Sequence, residues 1–127
     1  RAVGIYPELK HPTMLMEQAG IDVVDLLAGA LRKAGLDKAG DRVFVQAFEV
    51  APLQRLNRLV EVPLILLISA EGGPYDEKNL RWADMMTPAG LAEIAKYADG
   101  IGPYMGHVLA ADGTPTRLVA DAHAAGL

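Results

Sequence analysis

The 127-residue chain contains no cysteine, which excludes disulfides and thiolate metal sites. It leaves the compartment open, since cytosolic and periplasmic proteins alike can lack cysteine. No long apolar run is present either. The longest, Val62 to Ala70, contains Pro63 and falls well short of the roughly 20 residues a membrane-spanning helix needs. No basic stripe occurs: lysines and arginines are scattered singly or in short pairs, and the net charge is −4. Both features argue against a nucleic-acid surface. Also missing are a Gly-rich phosphate loop, a nucleophile elbow and histidines at metal-ligand spacing. The Gly100 to Gly102 stretch (GIG) is too short for a dinucleotide fingerprint. No signal peptide is visible, and the chain starts at Arg1 rather than Met, so the expectation is that a segment precedes it.

What is present is apolar patterning. Hydrophobic residues make up 51% of the chain, enough for a packed core, and the length suits one domain or part of a larger one. The period switches repeatedly between two and 3.6. Val3 to Leu9 reads as a strand, and Ile21 to Ala34 as a helix with Val24, Leu27, Leu31 and Ala34 on one face, ended by Gly35. Val43 to Phe48 is the next strand. A helix with Pro52 in its first turn follows, carrying Leu53, Leu56 and Val60 on one stripe. Pro63 to Ser69 has the continuous apolarity of a parallel strand buried on both faces.

A long irregular stretch, about Ala70 to Met86, comes next. Thr87-Pro88 then supplies an N-cap and first-turn proline for a helix with Leu91, Ile94, Ala95 and Ala98 inward. Gly100 to Tyr104 is a short strand or turn. Thr114-Pro115 repeats the start signal for a last helix with Leu118, Val119 and Ala122 apolar and Gly126 at its end. Four β-α units imply an α/β fold with a parallel sheet. A small open doubly wound sheet and half of a (β/α)8 TIM barrel are the two closures. The half barrel is favoured, because four units are about half of a barrel's ~250 residues.

Alternation along a strand puts Tyr6, Glu8 and Lys10 on one face. At the C-terminal end of a parallel strand that face meets the site of an α/β protein. A carboxylate there can ligate a hard cation such as Ca²⁺ or Mg²⁺, and a lysine one pleat away can neutralise a phosphoryl oxygen as charge develops. The alternative for Glu8 and Lys10 is a plain ion pair. Gln46 and Phe48 share a face of the second strand, where one could hydrogen-bond substrate and the other wall a pocket. A backbone-satisfied glutamine and a packed phenylalanine are the plainer readings. The loop after the third strand, with Tyr75 and Trp82, reads either as a lid offering apolar contacts to substrate or as an insertion packed on the rim. Among the histidines, His11 lies in a loop near the Glu8–Lys10 pair and can contact substrate. His107 reads as a loop residue, and His123 as a helix-surface or satisfied core residue.

The segments VGIYPELKHP (Val3 to Pro12), VFVQAF (Val43 to Phe48), LQRLN (Leu53 to Asn57) and YADGIGP (Tyr97 to Pro103) occur in an order and spacing that resemble glycerophosphodiester phosphodiesterases, and most of all their periplasmic branch. ADAHAAGL (Ala120 to Leu127) fits the helix before that family's penultimate or last barrel strand. The resemblance runs over essentially the whole chain, residues 1–127. It implies a TIM-barrel enzyme that hydrolyses glycerophosphodiesters to an alcohol and glycerol 3-phosphate with a divalent cation, Ca²⁺ or Mg²⁺, in the periplasm or outside the cell. By resemblance, Glu8 matches the metal-ligating glutamate, Lys10 the phosphate-contacting lysine, and Gln46 and Phe48 pocket positions.

The family's His-Arg start, its following Glu and Asp ligands and its second histidine have no counterparts here, and His11, His107 and His123 match none of them. The expectation is therefore a chain that carries only part of an active site and lacks the general acid and base. A half barrel leaves edges and sheet faces bare, so the missing half or a homo-oligomer is the expected partner. A non-catalytic phosphodiester-binding or scaffold module on the same barrel is the alternative function, and a lipid-headgroup phospholipase a third.

Overall fold

A computed structural model describes residues 3–127, so the first two residues of the domain lie outside it. The first expected strand is interrupted by its own proline. Ile5 bridges Val43, Pro7 has no N–H to give, and regular pairing resumes only at β1 (Glu8–Leu9). The Pro7 carbonyl is still used, accepting from the Gln46 amide at 3.0 Å. The other strands are β2 (Val45–Ala47), β3 (Leu64–Ile68) and β4 (Gly100–Pro103). All pairs are parallel and the spatial order is β1-β2-β3-β4. A doubly wound sheet needs a point where the strand order reverses, and this sheet has none, so the doubly wound closure is set aside. Consecutive order with a helical crossover at each step is the arrangement of one sector of a (β/α)8 barrel.

Helix α1 (Pro12–Ala19) was not legible from periodicity, whereas α2 (Val23–Ala34) lies where the pattern places it. Asp22 caps α2 by accepting from the Asp25 amide at 3.1 Å, and Gly35 ends it in the left-handed conformation at φ 66°. Arg55 reaches across from α3 (Val50–Leu56) to Asp22 and Asp25, each at 2.7 Å. That amide and guanidinium together hold the Asp22 carboxyl below its ordinary pKa.

The irregular stretch after β3 contains a single helical turn, α4 (Trp82–Met85). α5 (Pro88–Ile94) begins as expected, with Thr87 Oγ1 accepting from the Gly90 amide. Ala95, expected inward, is exposed. After β4 come α6 (Met105–Val108) and α7 (Leu118–Ala125). The start signal at Thr114-Pro115 is corrected. Asp112 Oδ1 takes the Thr114 amide, Ala110 donates to the Thr114 carbonyl, and Pro115 bridges Leu109, so these residues form a turn and the helix waits until Leu118.

Alternation divides the sheet. Val45, Ala47, Leu64, Leu66 and Ile68 are buried beneath the helices with Leu53, Leu56, Leu91 and Ile94. Each valine, leucine or isoleucine among them contributes on the order of 1.5–3 kcal/mol by leaving water. Phe44, Gln46, Phe48, Ile65 and Leu67 turn to the opposite face and stay exposed or half-exposed. That opposite face is a barrel's interior side. Among the described residues no helix is long and apolar enough to cross a membrane.

Candidate active site

The carboxyl ends of the four strands define one rim, and the sequence-predicted residues divide on their position there. Glu8 lies opposite Gln46 in the β1–β2 register, half-buried. Lys10, one pleat further, places Nζ 3.2 Å from Glu8 Oε1, with 72% of its side chain exposed. The two share one face and interact as an ion pair. Gln46 points to the same face, and its Nε2 donates to the Tyr6 carbonyl at 3.4 Å. Tyr6 meets Phe44 edge-on one layer below, with 6.1 Å between ring centroids, and burial raises its hydroxyl pKa.

Beside Glu8 opens a cavity of about 380 Å³, walled by His11, Phe48, Glu49, Ser69 and Trp82 among others. Phe48 is 37% exposed and stands edge-on to Trp82, at 6.5 Å and 62°. Trp82 itself is only 3% exposed, so it supports Phe48 and offers little ring surface of its own. The loop carrying it is packed onto the rim. Asp76 accepts from the amides of Val50 and Ala51, Tyr75 donates to Glu17 Oε2 at 3.3 Å, and Lys78 Nζ lies 3.8 Å over the Tyr75 ring. The Glu17 charge raises the Tyr75 hydroxyl pKa, with desolvation adding to it.

His11 lines the cavity with a left-handed backbone at φ 49° and ψ 46°, the one non-glycine residue with positive φ among those described. His107, expected in a loop, lies in α6 and is half-buried. Its Nε2 lies 3.0 Å from the Ser69 carbonyl and its ring stands edge-on to Tyr104. His123 is exposed on α7, away from the rim.

Glu49, Ser69 and Glu71 line the cavity and escaped periodicity. Their signal is positional: Glu49 lies two residues past β2 and Ser69 directly follows β3, at the strand ends where α/β sites gather. A carboxylate such as Glu8 suits a hard divalent cation. Among the described residues, however, no three acidic or histidine side chains converge to hold one. Glu8 can offer one ligand but these residues complete no cage.

No protein-family model matches the chain. Three curated relatives are similar to it. A glycerophosphodiester phosphodiesterase of Haemophilus influenzae is 34% identical over 117 residues, covering 81% of this chain and 32% of the relative. A glycerophosphodiester phosphodiesterase of Arabidopsis thaliana is 30% identical over 142 aligned positions, covering 100% of this chain and 38% of the relative. A glycerophosphodiester phosphodiesterase of Treponema pallidum is 32% identical over 119 residues, covering 81% and 33% respectively. The chain thus spans about a third of the length of the curated relatives it matches.

Proposed function

The chain belongs to the glycerophosphodiester phosphodiesterase family, and on that basis we propose that it supplies one wall of an active site that hydrolyses glycerophosphodiesters to an alcohol and glycerol 3-phosphate. The observation that carries the reading is the placement of Glu8, which lines the cavity from the end of β1, with Lys10 paired to it from just beyond the strand. In the proposed reaction a water oxygen bonds to phosphorus, the bond from phosphorus to the alcohol oxygen breaks, and the alcohol leaves with a proton. Lys10, largely exposed, can swing from Glu8 onto a non-bridging phosphoryl oxygen and neutralise charge there as it develops. Phe48, and behind it Trp82, would bound the apolar part of the substrate, with Gln46 fixing the floor through Tyr6.

A divalent cation, Ca²⁺ or Mg²⁺, belongs to the proposal as a ligand of Glu8. Bound, it would supply positive charge beside the phosphate. Its remaining ligands, and the general acid and base, would come from residues outside this chain. The bare sheet face bearing Phe44 and Ile65 is where the rest of a barrel, or a second copy, would pack. Resemblance to the periplasmic branch supports action in the periplasm or outside the cell, which fractionation would test.

The Glu8–Lys10 ion pair also suits a second reading, a module that binds phosphodiesters without cleaving them. Hydrolysis of glycerophosphocholine by the whole protein, coupled to detection of glycerol 3-phosphate, separates the two. Product formation that depends on Lys10 supports the enzyme, and binding without product supports the module.

A further inference from the structure

Glu49 is the one polar or charged residue buried among those described, at 3% exposure, and the chemistry above does not use it. It stands between β2 and α3 in extended conformation and lines the cavity. A buried carboxylate is costly unless hydrogen-bonded, so its partner shows what it is for. That partner is distant in sequence: Glu49 Oε2 accepts the Thr13 amide at 3.0 Å, across 36 residues. Thr13 lies in the first turn of α1, where amides have no intrahelical acceptor. α1 cannot cap itself, because His11 makes no side-chain cap, no acidic residue stands in its first turn, and Pro12 has no N–H. Glu49 brings the acceptor from a neighbouring strand end.

The bond closes a loop around Lys10. On one side of Lys10, Leu9 is paired with Ala47; on the other, Thr13 is held by Glu49. Two positions of one strand end, 47 and 49, thereby grip both ends of the turn containing Lys10 and the left-handed His11. The geometry points to Glu49 as a positioning residue that, through Thr13, keeps the Lys10–His11 turn at the mouth of the cavity. The role assigned to Lys10 rests on the phosphodiesterase reading; the grip on the turn does not.

The test uses the whole protein. Glu49→Ala is expected to lower kcat/KM for glycerophosphocholine by about tenfold or more through misplacement of the turn. Glu49→Gln, whose amide oxygen still accepts from Thr13, is expected to stay within about threefold of the parent. In a Lys10→Ala background Glu49→Ala is expected to cost less than about twofold further, because both act through one group. A loss that multiplies fully in that background overturns the proposal.

Hydrogen exchange of the Thr13 amide reads the same claim without catalysis. It is expected to speed up about tenfold or more in Glu49→Ala and to stay unchanged in Lys10→Ala. If Glu49→Ala does not fold, Glu49→Asp takes over both comparisons, since it keeps the charge but draws the oxygen back by one methylene. A protein that hydrolyses no diester removes the function reading alone, while an unchanged Thr13 amide overturns the positioning role whatever the activity.

Discussion

Asp76 holds Ala51 by its backbone, with Oδ2 accepting the Ala51 amide at 2.6 Å while Oδ1 accepts that of Val50 at 3.1 Å. The loop after β3 is thereby fastened to the first turn of α3, whose amides have no acceptor within the helix. The residue just before that turn is Glu49, which in turn holds α1. Three rim segments are joined in this way by two carboxylates, each satisfying a helix start that belongs to another segment.

Replacing Asp76 with Ala should lower the unfolding free energy by about 1–2 kcal/mol, the cost of a lost helix cap with two amides left unpaired. Asp76→Asn keeps one acceptor oxygen and should lose about half as much. Urea melts with an unchanged slope would show both. A melt unaffected by Asp76→Ala would mean that water serves those amides equally well.

The Glu8–Lys10 pair is open to solvent on the lysine side, and exposed pairs of this kind contribute at most about 1 kcal/mol. Lys10→Ala and Glu8→Gln should therefore melt within a few degrees of the parent. Lys10→Ala should nevertheless lose about 10²–10³-fold in kcat, the scale of removing one charge-stabilising group. Glu8→Gln should raise the cation concentration for half-maximal rate by about tenfold or more. An unaltered cation requirement would remove Glu8 from the metal.

Gly73 lines the cavity, and a methyl group on it would collide with the Leu80 carbonyl oxygen. The atoms it would meet are backbone atoms of Leu80 and Arg81, so no flexible side chain can give way. Gly73→Ala should destabilise by about 1–3 kcal/mol, as overpacking does elsewhere, and should open the loop to protease first. Limited proteolysis with mass analysis would locate the cut, and cleavage confined to another segment would count against this account.

Burial, with the charges of Asp76 and Glu77 adding, pushes the Tyr97 hydroxyl up to about 12. The ordinary value of 10.0 applies once the chain unfolds. The folded state therefore holds its proton longer, so this contribution is complete below pH 10 and is lost as pH rises toward 12. Thermal melts should fall across that window, and Tyr97→Phe should flatten the fall. An identical slope in Tyr97→Phe would assign the loss to other groups.

The parts of the fold that could be read along the chain are those whose causes lie within a few residues. The stripe of Val24 and Leu31, the Gly35 stop and the Thr87-Pro88 start are local devices, and each forms as its neighbours dictate. Thr114-Pro115 looks the same on paper, but Asp112 two residues earlier captures the Thr114 amide and turns the chain before a helix can begin. Pro7 cut the first strand for an equally local reason, a missing donor. Helix α1 went unread because its cap is Glu49, and no window of helical length contains both.

By itself the sequence determined the βα alternation, the parallel direction it entails, and the sharing of one strand face by Glu8 and Lys10, since period two and period 3.6 are properties of neighbouring residues. The relatives' resemblance is likewise a matter of residue order. Only the tertiary structure decided that Trp82 backs Phe48, that the Glu49 side chain is buried, and that Asp76 and Glu49 tie three rim segments together beside one cavity. Those outcomes depend on which strand ends meet across the sheet, and burial and capping by distant carboxylates are settled only when residues tens of positions apart come into hydrogen-bonding range.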